Sequence, residues 1–161
     1  MSLTADVAVR VGPVTVDHAG ELFTVQRAAY LSEAALYSVH IPPLRETLDD
    51  LRAELSGGKV LAFAAWLGER LVGSVRGKPD GERMEVARFS VAPDMQGRGI
   101  GRMLLTAVES AAPAQVRTLW LRTGGNSEAN LRLYQRSGYV LAGHQFDDIG
   151  VRVAYLEKPV G

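Results

Sequence analysis

Cysteine is absent from this sequence. That absence excludes a disulfide framework, a thiolate nucleophile and a zinc–cysteine site. Histidine is scarce, and His18, His40 and His144 lack the spacing of a metal-ligand set, so no metal is expected. An excess of one charge is also missing, because 18 basic residues balance 18 acidic ones. This balance argues against a bulk electrostatic grip on nucleic acid or on a membrane surface. No apolar run approaches the ~20 residues of a membrane span. The opening "MSLTADVAVRVG" has neither a basic start nor a continuous apolar core, so no secretory signal is expected. A soluble cytoplasmic protein is the expectation. Repeats, low-complexity tracts and linkers are lacking as well. One domain over residues 1–161 is expected, with apolar residues at 47% of the chain to build its core.

What is present alternates between strand and helix patterns. "VAVRV" (7–11) reads as a strand ended by Gly12-Pro13. Asp17 is the expected cap of a helix through Leu22, Val25 and Ala29. Pro42 and Pro43 are expected to keep residues 37–46 irregular. Thr47 is an N-cap for a helix stopped at Gly57-Gly58. Strands over 59–67 and 70–77 follow, then a "KPDGE" turn with its proline at the first corner, then a strand over 83–91. A helix from about Arg98 to Ala112, a strand over 117–123, a helix begun by Ser127 and ended by Gly138, and two last strands complete the chain. The fold class is a mixed α/β domain with an antiparallel middle.

The stretch "APDMQGRGIGRMLL" (92–105) carries Gly97, Gly99 and Gly101 between a strand and an amphipathic helix. Successive backbone N–H groups and a helix N-terminus make such a turn an anion site, and a diphosphate is the expected guest. Arg98 and Arg102 add charge. A P-loop requires a terminal Gly-Lys-Ser/Thr, which is missing. A dinucleotide fingerprint requires glycine where Arg102 stands and an acid ~20 residues further on, and "RTLWLRT" has none.

The residues "VAPDMQGRGIG" (Val91, Pro93, Gln96, Gly99, Gly101) and "NLRLYQRSGY" (Leu133-Tyr134, Gly138-Tyr139) together resemble the two signatures of the GNAT superfamily of acyl-CoA-dependent N-acetyltransferases. The resemblance covers nearly the whole chain. It implies a largely antiparallel central sheet whose middle strands splay apart, flanked by helices. It implies acetyl-CoA as cosubstrate, with the diphosphate on Gln96, Gly97, Arg98, Gly99, Ile100, Gly101 and Arg102. The pantetheine arm would lie along Phe89, Ser90 and Val91. Many members place asparagine where Ser127 stands. Here Ser127 is read as the helix cap and Asn130, one turn before Tyr134, as the cofactor contact. Tyr134 would be the general acid for the leaving thiolate.

The candidate bases are Glu85, which alternates in phase with Ala87, Phe89 and Val91 and so is expected to share their face, and Glu33. Members acting on ribosomal-protein N-termini carry a glutamate after the fifth strand, where this sequence has "LRTGGN" and Arg122. Tyr30, Tyr37, His40 and Asp147 are the candidate acceptor contacts. The expected acceptor is a small-molecule primary amine attacking directly in a ternary complex. A protein or peptide acceptor and a non-catalytic acyl-CoA-binding module are the alternatives. A homodimer is compatible with the resemblance.

Overall fold

The structure, a computed structural model, describes residues 8–34, 42–125, 127–148 and 150–160. Seven strands form one sheet in the order β1-β2-β3-β4-β5-β7-β6. They are β1 (Val9–Pro13), β2 (Leu61–Leu67), β3 (Arg70–Asp80), β4 (Arg83–Val91), β5 (Thr118–Gly124), β6 (Val140–Phe146) and β7 (Arg152–Pro159). All neighbours are antiparallel except β4 and β5. The helices are α1 (Ala19–Ala34), α2 (Pro42–Arg45), α3 (Leu48–Ser56), α4 (Ile100–Ser110) and α5 (Glu128–Arg136). This is the mixed, largely antiparallel architecture expected from the sequence.

Both sheet faces are covered. On one, Ile100, Leu104, Leu105 and Val108 of α4 pack with Val75, Met84, Val86, Leu119 and Leu121 of the strands. On the other, Ala19 and Leu22 of α1 and Leu51 of α3 pack against Ala64, Trp66 and Leu71. Burial of a leucine-sized side chain contributes roughly 1.5–3 kcal/mol, so these two layers fix where the strand ends point.

Local differences from the sequence reading have simple causes. Thr15, not Asp17, caps the first helical turn, and its partner is His18 rather than an acid. Pro42 and Pro43 begin a single helical turn instead of preventing one, since the first turn of a helix needs no N–H donors. Pro79 lies inside β3 opposite Met84, and the hairpin turns at Gly81, where φ is +62°. Thr47 behaves as expected: its hydroxyl accepts from the Asp50 N–H at 3.0 Å, and the Asp50 carboxylate accepts from the Thr47 N–H at 2.9 Å.

The feature that shapes the centre is the parting of β4 from β5. Their pairing covers only Arg83–Glu85 against Thr118–Trp120. Beyond it β4 is bulged. Ser74 opposes Ser90 and Arg76 opposes Ala87, so an extra residue is inserted in β4, and Arg88 there has φ +51°. The bulge bends β4 and leaves an open edge facing β5.

Candidate active site

The backbone of that open edge can be oriented from its neighbours. The Ala92 N–H donates to the Val72 carbonyl at 2.8 Å, so Ala92 faces β3. Strand alternation then turns the N–H and C=O groups of Val91 and Phe89 toward the gap. The Phe89 carbonyl accepts a 2.7 Å hydrogen bond from the Tyr30 hydroxyl, which ties α1 to the gap.

Two cavities meet at this edge. The first, about 570 Å3, runs from Phe89, Ser90 and Val91 past Gln96, Gly97, Gly99, Ile100, Gly101 and Arg102 to Ser127, Asn130 and Leu133. The second, about 330 Å3, is lined by Glu85, Arg88, Arg122, Tyr134, Asp147, Asp148 and Tyr155, among others. Tyr30, Phe89 and Asn130 line both. The sequence candidates are thus sorted into two groups on either side of one strand edge.

The glycine turn has the build of an anion cradle. A 3-10 turn (Pro93–Met95) leads into it, Gly97 has φ +78°, and Gly99 is the N-cap of α4 with φ +81°. No side chain caps α4, and its first internal bond runs from the Met103 N–H to the Gly99 carbonyl. The Ile100, Gly101 and Arg102 N–H groups therefore have no acceptor within the helix, and the helix dipole adds partial positive charge. A diphosphate fits this donor set.

The glycines differ in kind. A Cβ on Gly97 or Gly99 would meet nothing within 4 Å, so the positive φ is what requires glycine there. A Cβ on Gly101 would lie 2.6 Å from Phe89 Cζ and 3.1 Å from Leu133 Cδ2. Gly101 therefore lets the Phe89 ring sit against α4. We expect Gly101→Ala to displace that ring and destabilise the fold by about 1–3 kcal/mol, with weaker ligand binding in the first cavity. Gly97→Ala is expected to cost about 1–2 kcal/mol through its backbone alone. Urea unfolding and ligand titration of the two variants check this ordering.

Arg98 is exposed and outside the first cavity's lining. Its charge instead acts on Asp94, whose carboxyl is held below the usual range chiefly by hydrogen bonds from Arg70. Ser127 occupies the N-cap position of α5, but its side chain makes no capping bond and it lines the first cavity.

Tyr134 is buried, and its ring meets Phe89 edge-on at 5.7 Å and Tyr139 at 6.2 Å. Glu85 lines the second cavity, and its Oε2 accepts from Arg122 Nε at 3.2 Å. Glu85 does not share the face of Phe89 and Val91. It pairs with Lys78 and lies on the side of Arg76 and Ser74, whereas the bulge sends Phe89 to the side of α4 and α5. Asp147 lines the second cavity while its carboxylate accepts the Val151 N–H at 2.8 Å, so it also holds the β6–β7 turn. Tyr37 and His40 lie outside the described residues, as does the side chain of Glu33. Among the described residues no group of acidic or histidine side chains is placed to hold a metal ion.

Sequence reasoning missed two features. One is Arg88, whose bulge leaves no signature in "VARFSV". The other is a buried polar cluster. Arg76 is 1% exposed and bonds Glu46 at 2.8 Å, Glu54 at 3.0 Å and Gln26 at 2.7 Å. An arginine within the apolar "LVGSVRG" was the available signal. Burial opposes charge on Glu46, yet hydrogen bonds from Arg76 and Gln26 and the charges of Arg76 and Arg88 hold its carboxyl down at about 2.

A splayed strand pair, a glycine turn at a helix N-terminus and a tyrosine beside the gap define a class of protein. The model of the Acetyltransferase (GNAT) family matches residues 25–139, and the chain belongs to that family. A 79-residue stretch is 33% identical to an uncharacterized N-acetyltransferase, YvbK, of Bacillus subtilis (strain 168), covering 48% of this chain and 51% of that protein. The match thus spans about half the length of that relative. The PaiA N-acetyltransferase of Thermoplasma acidophilum, crystallised with coenzyme A, has the same fold: TM-score 0.79 and 17% identity over 94% of this chain and 99% of that one. An acetyltransferase of Thermus thermophilus aligns at 26% identity and TM-score 0.69 over 94% and 97% of the two chains. Among the described residues no helix is long and apolar enough to cross a membrane.

Proposed function

We propose that this protein, acting as one domain, transfers an acetyl group from acetyl-CoA to a primary amine, and that the amine belongs to a small molecule. The observation that carries the reading is the meeting of two cavities at the open edge of β4, one shaped around an anion cradle and the other lined by ionisable groups. The coenzyme A complex of the structurally similar PaiA enzyme supports the first assignment. The second cavity, about 330 Å3, suits a small acceptor.

Each residue then has a defined task. The N–H groups at Gly97–Arg102 and the Arg102 guanidinium bind the diphosphate. The Phe89 and Val91 backbone pairs with the amides of the pantetheine arm, and an N–H at this edge stabilises charge developing on the carbonyl oxygen. Asn130, at the junction, orients the arm. The cosubstrate supplies an activated acyl group, and the amine attacks it directly while both are bound. Tyr134 gives its hydroxyl proton to the departing thiolate. A phenol is a weak acid whose proton a nascent thiolate can accept as the carbon–sulfur bond breaks. Glu85 takes the proton from the incoming ammonium through the second cavity.

Thermal unfolding with coenzyme A, acetyl-CoA, ATP and NAD in parallel tests the reading. A ligand at ~100 times its dissociation constant adds ~2.7 kcal/mol, which is a rise of ~5–10 °C for a chain of this size. The expected result is a rise with the two coenzyme A forms alone. A rise with ATP or NAD instead would reject it.

A further inference from the structure

The second cavity carries charge of both signs. Asp147 and Asp148 lie on the β6–β7 side, and Arg88 and Arg122 come from β4 and β5. Arg122 is committed to Glu85. Arg88 is differently placed. Its Nε lies 3.5 Å from Glu46 Oε2, and that same carboxylate is already held by Arg76. Around this point three cations, Arg76, Lys78 and Arg88, share two carboxylates, Glu46 and Glu54. Among the described residues this cluster has one cation more than carboxylates, and Arg88 is the member that lines the cavity, together with Glu85, Arg122, Asp147 and Asp148. Among the described residues the Arg88 Nε, like that of Arg76, is buried without a hydrogen-bond partner.

The backbone adds an independent argument. Arg88 is the one residue other than glycine with positive φ among the described residues. Glycine or asparagine would adopt this conformation at lower cost, and nothing in a bulge requires a guanidinium. A long cationic side chain at a strained position facing a cavity points to a ligand group.

Resting on the acetyl-transfer reading, we propose that the acceptor is an amino-acid-like molecule, an amine that also bears a carboxylate, and that Arg88 binds the carboxylate. The guanidinium offers two parallel N–H donors to a planar anion. Asp147 and Asp148, which line the same cavity, attract the cationic end. Arg88 is thus a specificity residue.

The experiment is an acceptor panel of matched pairs, each an amine and its α-carboxylated counterpart, with aliphatic, aromatic and thioether side chains. Wild type, Arg88→Met, Arg88→Lys and Arg88→Gly are assayed with acetyl-CoA. The wild type is expected to prefer the carboxylated member at least ~10-fold in kcat/KM. Arg88→Met should lower kcat/KM for that member by ~10–100-fold, mainly through KM, and change the plain amine by less than about threefold. Arg88→Lys should restore part of the loss. Arg88→Gly removes the side chain and relieves the positive φ, so it should keep or raise the melting temperature while showing the same loss. No preference in the wild type, or an equal loss for both members of a pair, overturns the assignment. Acetylation of no pair member, with coenzyme A still raising the melting temperature, overturns the acceptor class alone. Absence of the coenzyme A shift overturns the acetyl-transfer reading itself.

Discussion

Tyr134→Phe is expected to lower kcat by ~10²–10⁴-fold while leaving the affinity for coenzyme A unchanged within about twofold. The magnitude is that of a positioned general acid. The substitution removes one oxygen and keeps the ring that packs against Phe89 and Tyr139. Phe89 forms part of both cavities, so a larger change such as Tyr134→Ala would collapse the wall between them and confuse chemistry with packing. Steady-state kinetics beside calorimetric titration with coenzyme A separates the effects. A full rate in the phenylalanine variant would mean that solvent protonates the thiolate. Joint loss of rate and affinity would mean that the hydroxyl holds the cavity wall in place. A wild type that binds coenzyme A and acetylates no amine would support the alternative of a binding module.

The parts of this molecule that were legible in its sequence are those whose cause is local. The α4 turn is an example: positive φ at Gly97 and Gly99 and apolar residues recurring along one helix face are short-range facts. The two motifs, Val91 to Gly101 and Asn130 to Tyr139, depend on spacing within single stretches, and the second lies along one helix and its exit. The bulge was not legible, because Glu85, Ala87, Phe89 and Val91 look like an unbroken alternation. Only the register against β3 shows that an extra residue intervenes and that Glu85 belongs to the other face. Arg76 is the opposite case, since its oddness was visible while its partners were not. Gln26, Glu46 and Glu54 lie 50, 30 and 22 positions away in the chain, and no local pattern links them.

That cluster yields the largest expected effect on stability. Arg76 lies almost wholly inside the protein, in β3 facing α1 and α3, and its bonded partners among the described residues are Gln26, Glu46 and Glu54. Arg76→Met removes the counter-ion that Glu46 and Glu54 share and leaves them only the longer ion pairs to Arg88 at 3.5 Å and Lys78 at 3.6 Å. Breaking a buried pair in this way costs about 3–5 kcal/mol. At ~2–4 °C per kcal/mol the melting temperature should fall by roughly 6–20 °C. Glu46→Gln should cost less, because Arg76 retains Glu54.

The two variants also separate by pH. The Glu46 carboxyl lies at about 2 in the folded protein against an ordinary 4.5. A depressed carboxyl contributes stability that is fully present above about pH 4.5 and is lost as pH falls toward about 2. Over the whole window the contribution is on the order of 3 kcal/mol. The wild type should therefore lose about 2 kcal/mol more than Glu46→Gln between pH 5 and pH 3 in urea unfolding. Equal slopes would mean that Glu46 keeps its ordinary carboxyl behaviour and that Arg76 is balanced by Glu54 instead. Glu46 directly follows α2 and precedes the Thr47 cap, so the same ion pair fixes where the chain enters α3, within 3.5 Å of Arg88 Nε. A variant that loosens it should weaken acceptor binding before it weakens the grip on coenzyme A, because Arg88 lines the second cavity and not the first.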